Sequence, residues 1–274
     1  MTRRITWMGT MLAALLLAGA GVGGCQALTR GEASAALEEA SLDAEAISLT
    51  SGSIEITTDF TIGDAVENAA AEIATFVQTQ LPCAEITVEA ATITIEYGAN
   101  PGTCTYRGQT YGGIHQITVM RNAMDDVIVS HRWEDFHNDD LSVTGTAMVT
   151  WSFADPSRHV VHELTWTRQS DGRQGTGSGD RIQRPLAEGL LTGFSEDGTR
   201  QWEGESGTWT LDIEGVEVRW VDAVPQAGSY VLTTPASKML SLSFSRSAAT
   251  TITVTISSGM QTYDFDVTTL PGDV

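Results

Sequence analysis

Five histidines and 35 carboxylates are the residues of this 274-residue chain with the most obvious capacity for chemistry, and their spacing decides which chemistry is open to them. The run His159-Val-Val-His162-Glu163 has the composition of a metal site. On a helix its three-residue step would set both imidazoles on one face; on a strand it sends them to opposite faces. The segment reads as a strand, and the glutamate follows the second histidine instead of the first, unlike the helical zinc-protease motif. A second cluster, His131-Arg-Trp-Glu-Asp-Phe-His137-Asn-Asp-Asp140, gathers oxygen donors near a strand-to-strand connection. Asp135, Asn138, Asp139 and Asp140 are weak calcium candidates there, because calcium takes six to eight oxygens from a flexible loop. No glycine marks the sharp bend of a calcium loop, and a solvated turn is the expected structure, with no metal.

Nucleophiles offer less. Ser178 and Ser195 stand near glycines, but neither sits in a Gly-x-Ser-x-Gly elbow leading into a helix. The glycine-rich stretch at 172–179 lacks the Lys-Ser/Thr that follows a phosphate-binding loop. Paired carboxylates could hydrolyse a polysaccharide, but in so acidic a chain their presence singles out no pair. The expectation is therefore of no catalytic residue and no cofactor. Of seven tryptophans, Trp151, Trp166, Trp209 and Trp220 fall on the apolar phase of their strands, and Trp133 shares its phase with Val127 and Val129. Trp202, beside Glu203 and Glu205, is the one expected to be exposed.

The elements that would position these residues are mostly strands. Leu141, Val143, Ala147, Val149, Trp151 and Phe153 alternate with Ser and Thr, and Trp209-Leu211-Ile213 alternate with acids. Leu240-Leu242-Phe244, Ile252-Val254-Ile256 and Tyr263-Phe265-Val267 repeat the pattern. Period-two alternation with one polar face marks antiparallel strands with one side in water. Turn signals at Asn100-Pro-Gly, Asp155-Pro, Asp171-Gly, Asp197-Gly, Glu214-Gly and Ser258-Gly separate the runs. Ten to thirteen strands are expected, in a mainly β fold: a large curled antiparallel meander, barrel-like or two-layered. Residues 175–179 read as a mobile loop. One helix stands out at about 64–80, where Val66, Ala69, Ala70, Ile73, Phe76 and Val77 form a stripe to pack on the sheet's apolar face, with Asp64 as its cap and Pro82 as its stop.

Charge is unevenly spread. Between Arg30 and Arg107 there is no Lys or Arg, against 13 acidic residues, in a chain of net charge −20. Such a balance repels phosphate backbones and excludes nucleic acid as a partner. The chain opens with Arg3 and Arg4, an apolar stretch at 11–18 and the small residues Gly19-Ala-Gly-Val-Gly-Gly24, the layout of a secretory signal. Its strongly apolar part is about half the roughly 20 residues needed to cross a bilayer. In an exported protein the remaining even pair, Cys83 and Cys104, is expected to form a disulfide.

Val22-Gly23-Gly24-Cys25 resembles a bacterial lipobox, and the chain as a whole resembles lipoproteins of Gram-negative bacteria: a lipobox signal followed by a secreted β-meander domain. The resemblance implies cleavage after residue 24 and lipidation of Cys25 with diacylglycerol and palmitate. Gln26 then points to the outer membrane. The implied organisation is a signal peptide at 1–24, a lipidated cysteine with an acidic flexible tether at 25–52, and a single β-rich domain at 53–274. A flexible tether of some 20 residues would reach about 25 Å. The function expected is that of a non-enzymatic, membrane-anchored envelope lipoprotein, a surface or periplasmic interaction or structural module with a protein or glycan partner. The alternative is a periplasmic carrier holding lipid or another apolar ligand in a half-barrel. A packed interior would favour the first, and a pocket under Ile73–Phe76 the second.

Overall fold

The computed structural model describes residues 27–58, 66–106, 109–124, 126–152, 154–189, 192–219 and 221–269. Two helices come first, α1 (Arg30–Thr58) and α2 (Val66–Gln80). Strands follow: β1 (Glu85–Glu89), β2 (Thr92–Tyr97), β3 (Thr105–Tyr106), β4 (Gln109–Thr110), β5 (Gly112–Arg121), β6 (Val127–His137), β7 (Leu141–Ser152) and β8 (Ser157–Arg168). The remainder are β9 (Gln174–Pro185), β10 (Gly193–Gly204), β11 (Gly207–Arg219), β12 (Ala227–Thr233), β13 (Met239–Ala248), β14 (Thr251–Ser258) and β15 (Gln261–Thr268). Thirteen of these form one sheet in the order β1-β2-β5-β6-β7-β8-β9-β10-β11-β12-β13-β14-β15, with β3 and β4 pairing apart. This is the mainly β antiparallel meander that the alternation predicts, and it is not closed into a barrel.

The chain divides into two compact units: residues Asp43–Ser178, and residues 27–42 with 179–269. In the first, α2 packs against β1, β2 and β5 with Ala69, Ala70, Ile73 and Val77 inward, half of the expected stripe and more. Asp64, its expected cap, lies outside the described residues. Leu81 N donates to Val77 O (2.8 Å) just before Pro82 ends the helix. The Cys83–Cys104 disulfide is formed, Cα atoms 5.4 Å apart, and ties the end of α2 to the strand pair β3–β4. In the second unit Trp202, Trp209, Leu211, Ile213, Val216, Leu232, Leu240, Phe244, Ile252 and Val254 build the core on the sheet's apolar face.

Residues 30–58 are the main departure from expectation. Instead of a flexible tether they form a helix, and from Glu39 to Glu55 no residue is exposed. An amphipathic stripe marks a helix whose buried side is apolar; here Glu39, Asp43, Thr50 and Ser53 are buried while Ser41, Glu45, Ser48 and Glu55 are half-buried, so polar residues fall on both sides and periodicity cannot find the helix. Its alanines, serines and Gly52 keep it thin enough for close packing: a Cβ at Gly52 would stand 2.6 Å from the Tyr111 hydroxyl. The start is fixed by a capping box. Thr29 N donates to Glu32 Oε2 (2.8 Å) and Glu32 N donates back to Thr29 Oγ1 (3.3 Å).

Two further expectations are corrected. Residues 175–179 are not a loop but lie in β9, where Gly175 is needed because its Cβ would meet the Trp166 ring at 2.3 Å. Trp202 is buried, stacked on Trp209 with ring centroids 6.2 Å apart and planes 5° from parallel. Its neighbour Glu203 points the other way, as strand alternation requires, and Glu205 lies exposed in the turn between β10 and β11. Trp133, Trp166 and Trp209 are buried as expected, Trp151 is half-buried, and Trp220 lies outside the described residues.

Candidate functional site

The first polar centre is a pair of buried histidines that sequence reading passed over. His115 follows the inward phase of β5 with Ile117 and Val119; His131 follows that of β6 with Val127, Val129 and Trp133. A bulge between Trp133 and Phe136 then inserts one extra residue, so that two side chains three positions apart both face inward. Asp135 takes a left-handed φ of 47° at this bulge, and Gly113 (φ 86°) faces it where a Cβ would lie 2.1 Å from the Asp135 carbonyl. The result is a cluster of Tyr97, Tyr111, His115, His131, Trp133 and Phe136.

Within it His115 Nε2 and His131 Nδ1 are 3.0 Å apart and share one proton, and the Tyr97 hydroxyl lies 3.5 Å from His115 Nδ1. His131 Nε2 has no hydrogen-bond partner among the described residues. Both rings stack on Trp133, at 5.2 and 5.7 Å. Trp133 Nε1 donates to Ser53 Oγ (2.9 Å), which in turn donates to Thr50 O (2.7 Å), so the cluster is bolted to α1. Burial disfavours the imidazolium form in both rings. It holds His131 at about 3, with the Arg158 charge adding to the effect, and His115 well below its ordinary value, with His131 adding. Burial also raises the Tyr97 hydroxyl. Arg158 itself pairs with Glu55 of α1 (2.5 Å) and lies over the Trp151 ring. The centre consists of neutral rings sealed from water.

A second polar centre lies in the other unit. Arg181 Nη1 donates to Glu196 Oε2 (3.2 Å), Gln183 Nε2 donates to the same oxygen, and Arg200 is buried nearby on β10. Burial raises the Tyr230 hydroxyl, with Glu196 adding to the effect and Arg200 and Arg181 opposing it. The Arg181–Glu196 side chains are 7 % and 9 % exposed. This group likewise presents almost nothing to solvent; it ties β9 to β10.

The third feature is where the chain enters the fold. Leu28 is buried, and its N–H donates to Ser258 Oγ (3.0 Å), while that hydroxyl donates to Met239 O (2.9 Å). Ala27 passes over the β14–β15 turn: a Cβ at Gly259 would lie 2.9 Å from Ala27 Cβ. Lys238 Nζ donates to Glu32 Oε1 (2.7 Å), and the hydrogen bond lowers the Glu32 carboxyl to about 2.

The residues singled out from sequence scatter. His159 and His162 lie on β8 with opposite orientations, His159 half-buried and His162 buried, and Glu163 is exposed. Asn138 Oδ1 accepts from the N–H groups of Asp140 and Leu141, forming a tight turn with Asp139 exposed. Asp135 belongs to the bulge instead. No group of three or more His, Cys, Asp or Glu placed to hold a metal occurs among the described residues. Ser178 is exposed on β9 and Ser195 half-buried on β10. Cys25 lies outside the described residues. No helix among the described residues is long and apolar enough to cross a membrane. Comparison with protein-family models, curated proteins and solved structures finds no match to this chain.

Proposed function

We propose that the protein is a non-enzymatic lipoprotein of the bacterial envelope, anchored through lipid on Cys25 at the outer membrane and serving as an interaction or structural module. The observation that carries this reading is the burial of α1. A carrier needs vacant apolar space for its ligand, whereas here the protein's own helix has no exposed residue from Glu39 to Glu55 and is bonded through Ser53 and Glu55 to Trp133 and Arg158 of the sheet. The polar centres that could have done chemistry are sealed within the packing. The edge strand β15 supports an interaction role: Tyr263 and Phe265 remain 42 % and 38 % exposed beside an outer edge to which no strand among the described residues pairs.

Mass spectrometry of the protein purified from membranes tests the reading. The expected product begins at Cys25, carries diacylglycerol and a further acyl chain, and has no co-purifying apolar ligand. A full-length, unacylated chain in the soluble fraction would refute the anchoring, and a stoichiometric bound lipid would favour the carrier.

A further inference from the structure

We infer that one end of the second unit, comprising Met239, Lys238 and the β14–β15 turn with Met260 at its tip, is a docking surface laid against the lipid bilayer; this rests on the reading of Cys25 as lipidated. With a long disordered tether the acyl chains would say nothing about orientation. Here the chain is held in the fold from Ala27 onward, over Gly259 and onto Ser258. Covalent geometry then keeps the Cys25 Cα within about 7 Å of that of Ala27. Acyl chains attached there must enter the membrane beside the β14–β15 turn, whatever the conformation of Gln26.

The surface at that point suits the interface. Met260 is 88 % exposed, the most exposed large apolar side chain among the described residues, and Met239 is 55 % exposed. Both lie within the same small region, because Ser258 bonds to the Met239 carbonyl and Met260 is two residues on. Two flexible apolar side chains in water have no folded-state benefit, whereas at the boundary between headgroups and acyl chains each gains by burial. Lys238 is the only lysine of the chain, placed where its long aliphatic stem can lie along apolar surface. Its ammonium pairs with Glu32 and so neutralises one carboxylate at this end of a strongly acidic protein. The opposite end of β14, at Ala249, stands roughly 25 Å away along the strand.

The test uses acylated protein purified from membranes, with a single added thiol at Met260→Cys or Ala249→Cys labelled with an environment-sensitive fluorophore. Cys83 and Cys104 are bonded to each other and Cys25 is blocked, so the label is unique. Each sample is reconstituted into phosphatidylethanolamine vesicles with and without doxyl-labelled lipid. The expected result is a blue-shifted emission at position 260, quenched several-fold more by doxyl lipid than at 249. Equal, water-like emission at both positions in protein confirmed as acylated and vesicle-bound would overturn the docking surface and leave the anchoring intact. Absence of acylation at Cys25 would overturn both.

Discussion

The buried histidine pair makes stability depend on pH in a direction and amount that the structure sets. His131 is held at about 3 and His115 well below its ordinary value, both chiefly by burial. In the unfolded chain both titrate near 6.5. Below that pH the unfolded state binds protons that the folded state refuses, so stability is complete above about pH 7 and falls as the pH drops toward the folded-state values. From pH 7 to pH 5 each histidine removes about 2 kcal/mol, and the pair about 4 kcal/mol, a large part of the 5–15 kcal/mol typical of a folded domain. Urea unfolding followed by tryptophan fluorescence at the two pH values measures the loss. The His115→Gln/His131→Gln variant should lose about 4 kcal/mol less over the same interval. Ring-proton NMR supplies a readout that needs no variant: the resonances of His115 and His131 should stay fixed from pH 7 to pH 5. A titration of either ring above pH 5.5, or a wild-type loss no larger than the variant's, would refute the reasoning.

Other perturbations follow from named contacts. Glu196→Ala leaves Arg181 buried without its carboxylate and should cost about 3–5 kcal/mol in chemical denaturation. Ser53→Ala deprives the buried Trp133 Nε1 of its acceptor and should cost about 1–3 kcal/mol, with a change in near-ultraviolet circular dichroism from the indole. Gly175→Val places a side chain inside the Trp166 ring and should lower the melting temperature far more than Thr176→Val, whose side chain is exposed. Replacing Cys83 and Cys104 by alanine opens a 21-residue separation and should lower stability by about 3 kcal/mol, seen as a lower urea midpoint.

What could be read from the sequence was what repeats with a short period. The strands Leu141–Ser152 and Thr251–Ser258 alternate cleanly, so their existence, their inward faces and the meander were visible before any coordinates. The stripe of α2 and the pairing of Cys83 with Cys104 were legible for similar reasons. α1 was not, because its buried side carries Glu39, Asp43, Thr50 and Ser53 and so shows no apolar stripe, and its small and acidic residues imitate a solvated linker. Even so, Thr29 and Glu32 at capping-box spacing were an available signal. The histidine cluster was half legible: strand phase places His115 and His131 inward, but the bulge that brings Phe136 beside Trp133 breaks the alternation. The Arg181–Glu196 pair was hidden because β9, rich in glycine and charge, reads as a loop until Trp166 is seen to lie across Gly175. Trp202 was misjudged by its neighbours, whose acidity reports the opposite face.

The bond from Leu28 to Ser258 joins positions 230 residues apart. The first turn of α1 therefore gains its seat only when the last hairpin of the sheet is in place, and closure of so distant a contact is entropically slow. Synthesis delivers the helix first and its walls last. Until those strands are made, the Leu28 N–H and the Ser258 hydroxyl cannot meet, so the seat of this first turn is among the last contacts to form.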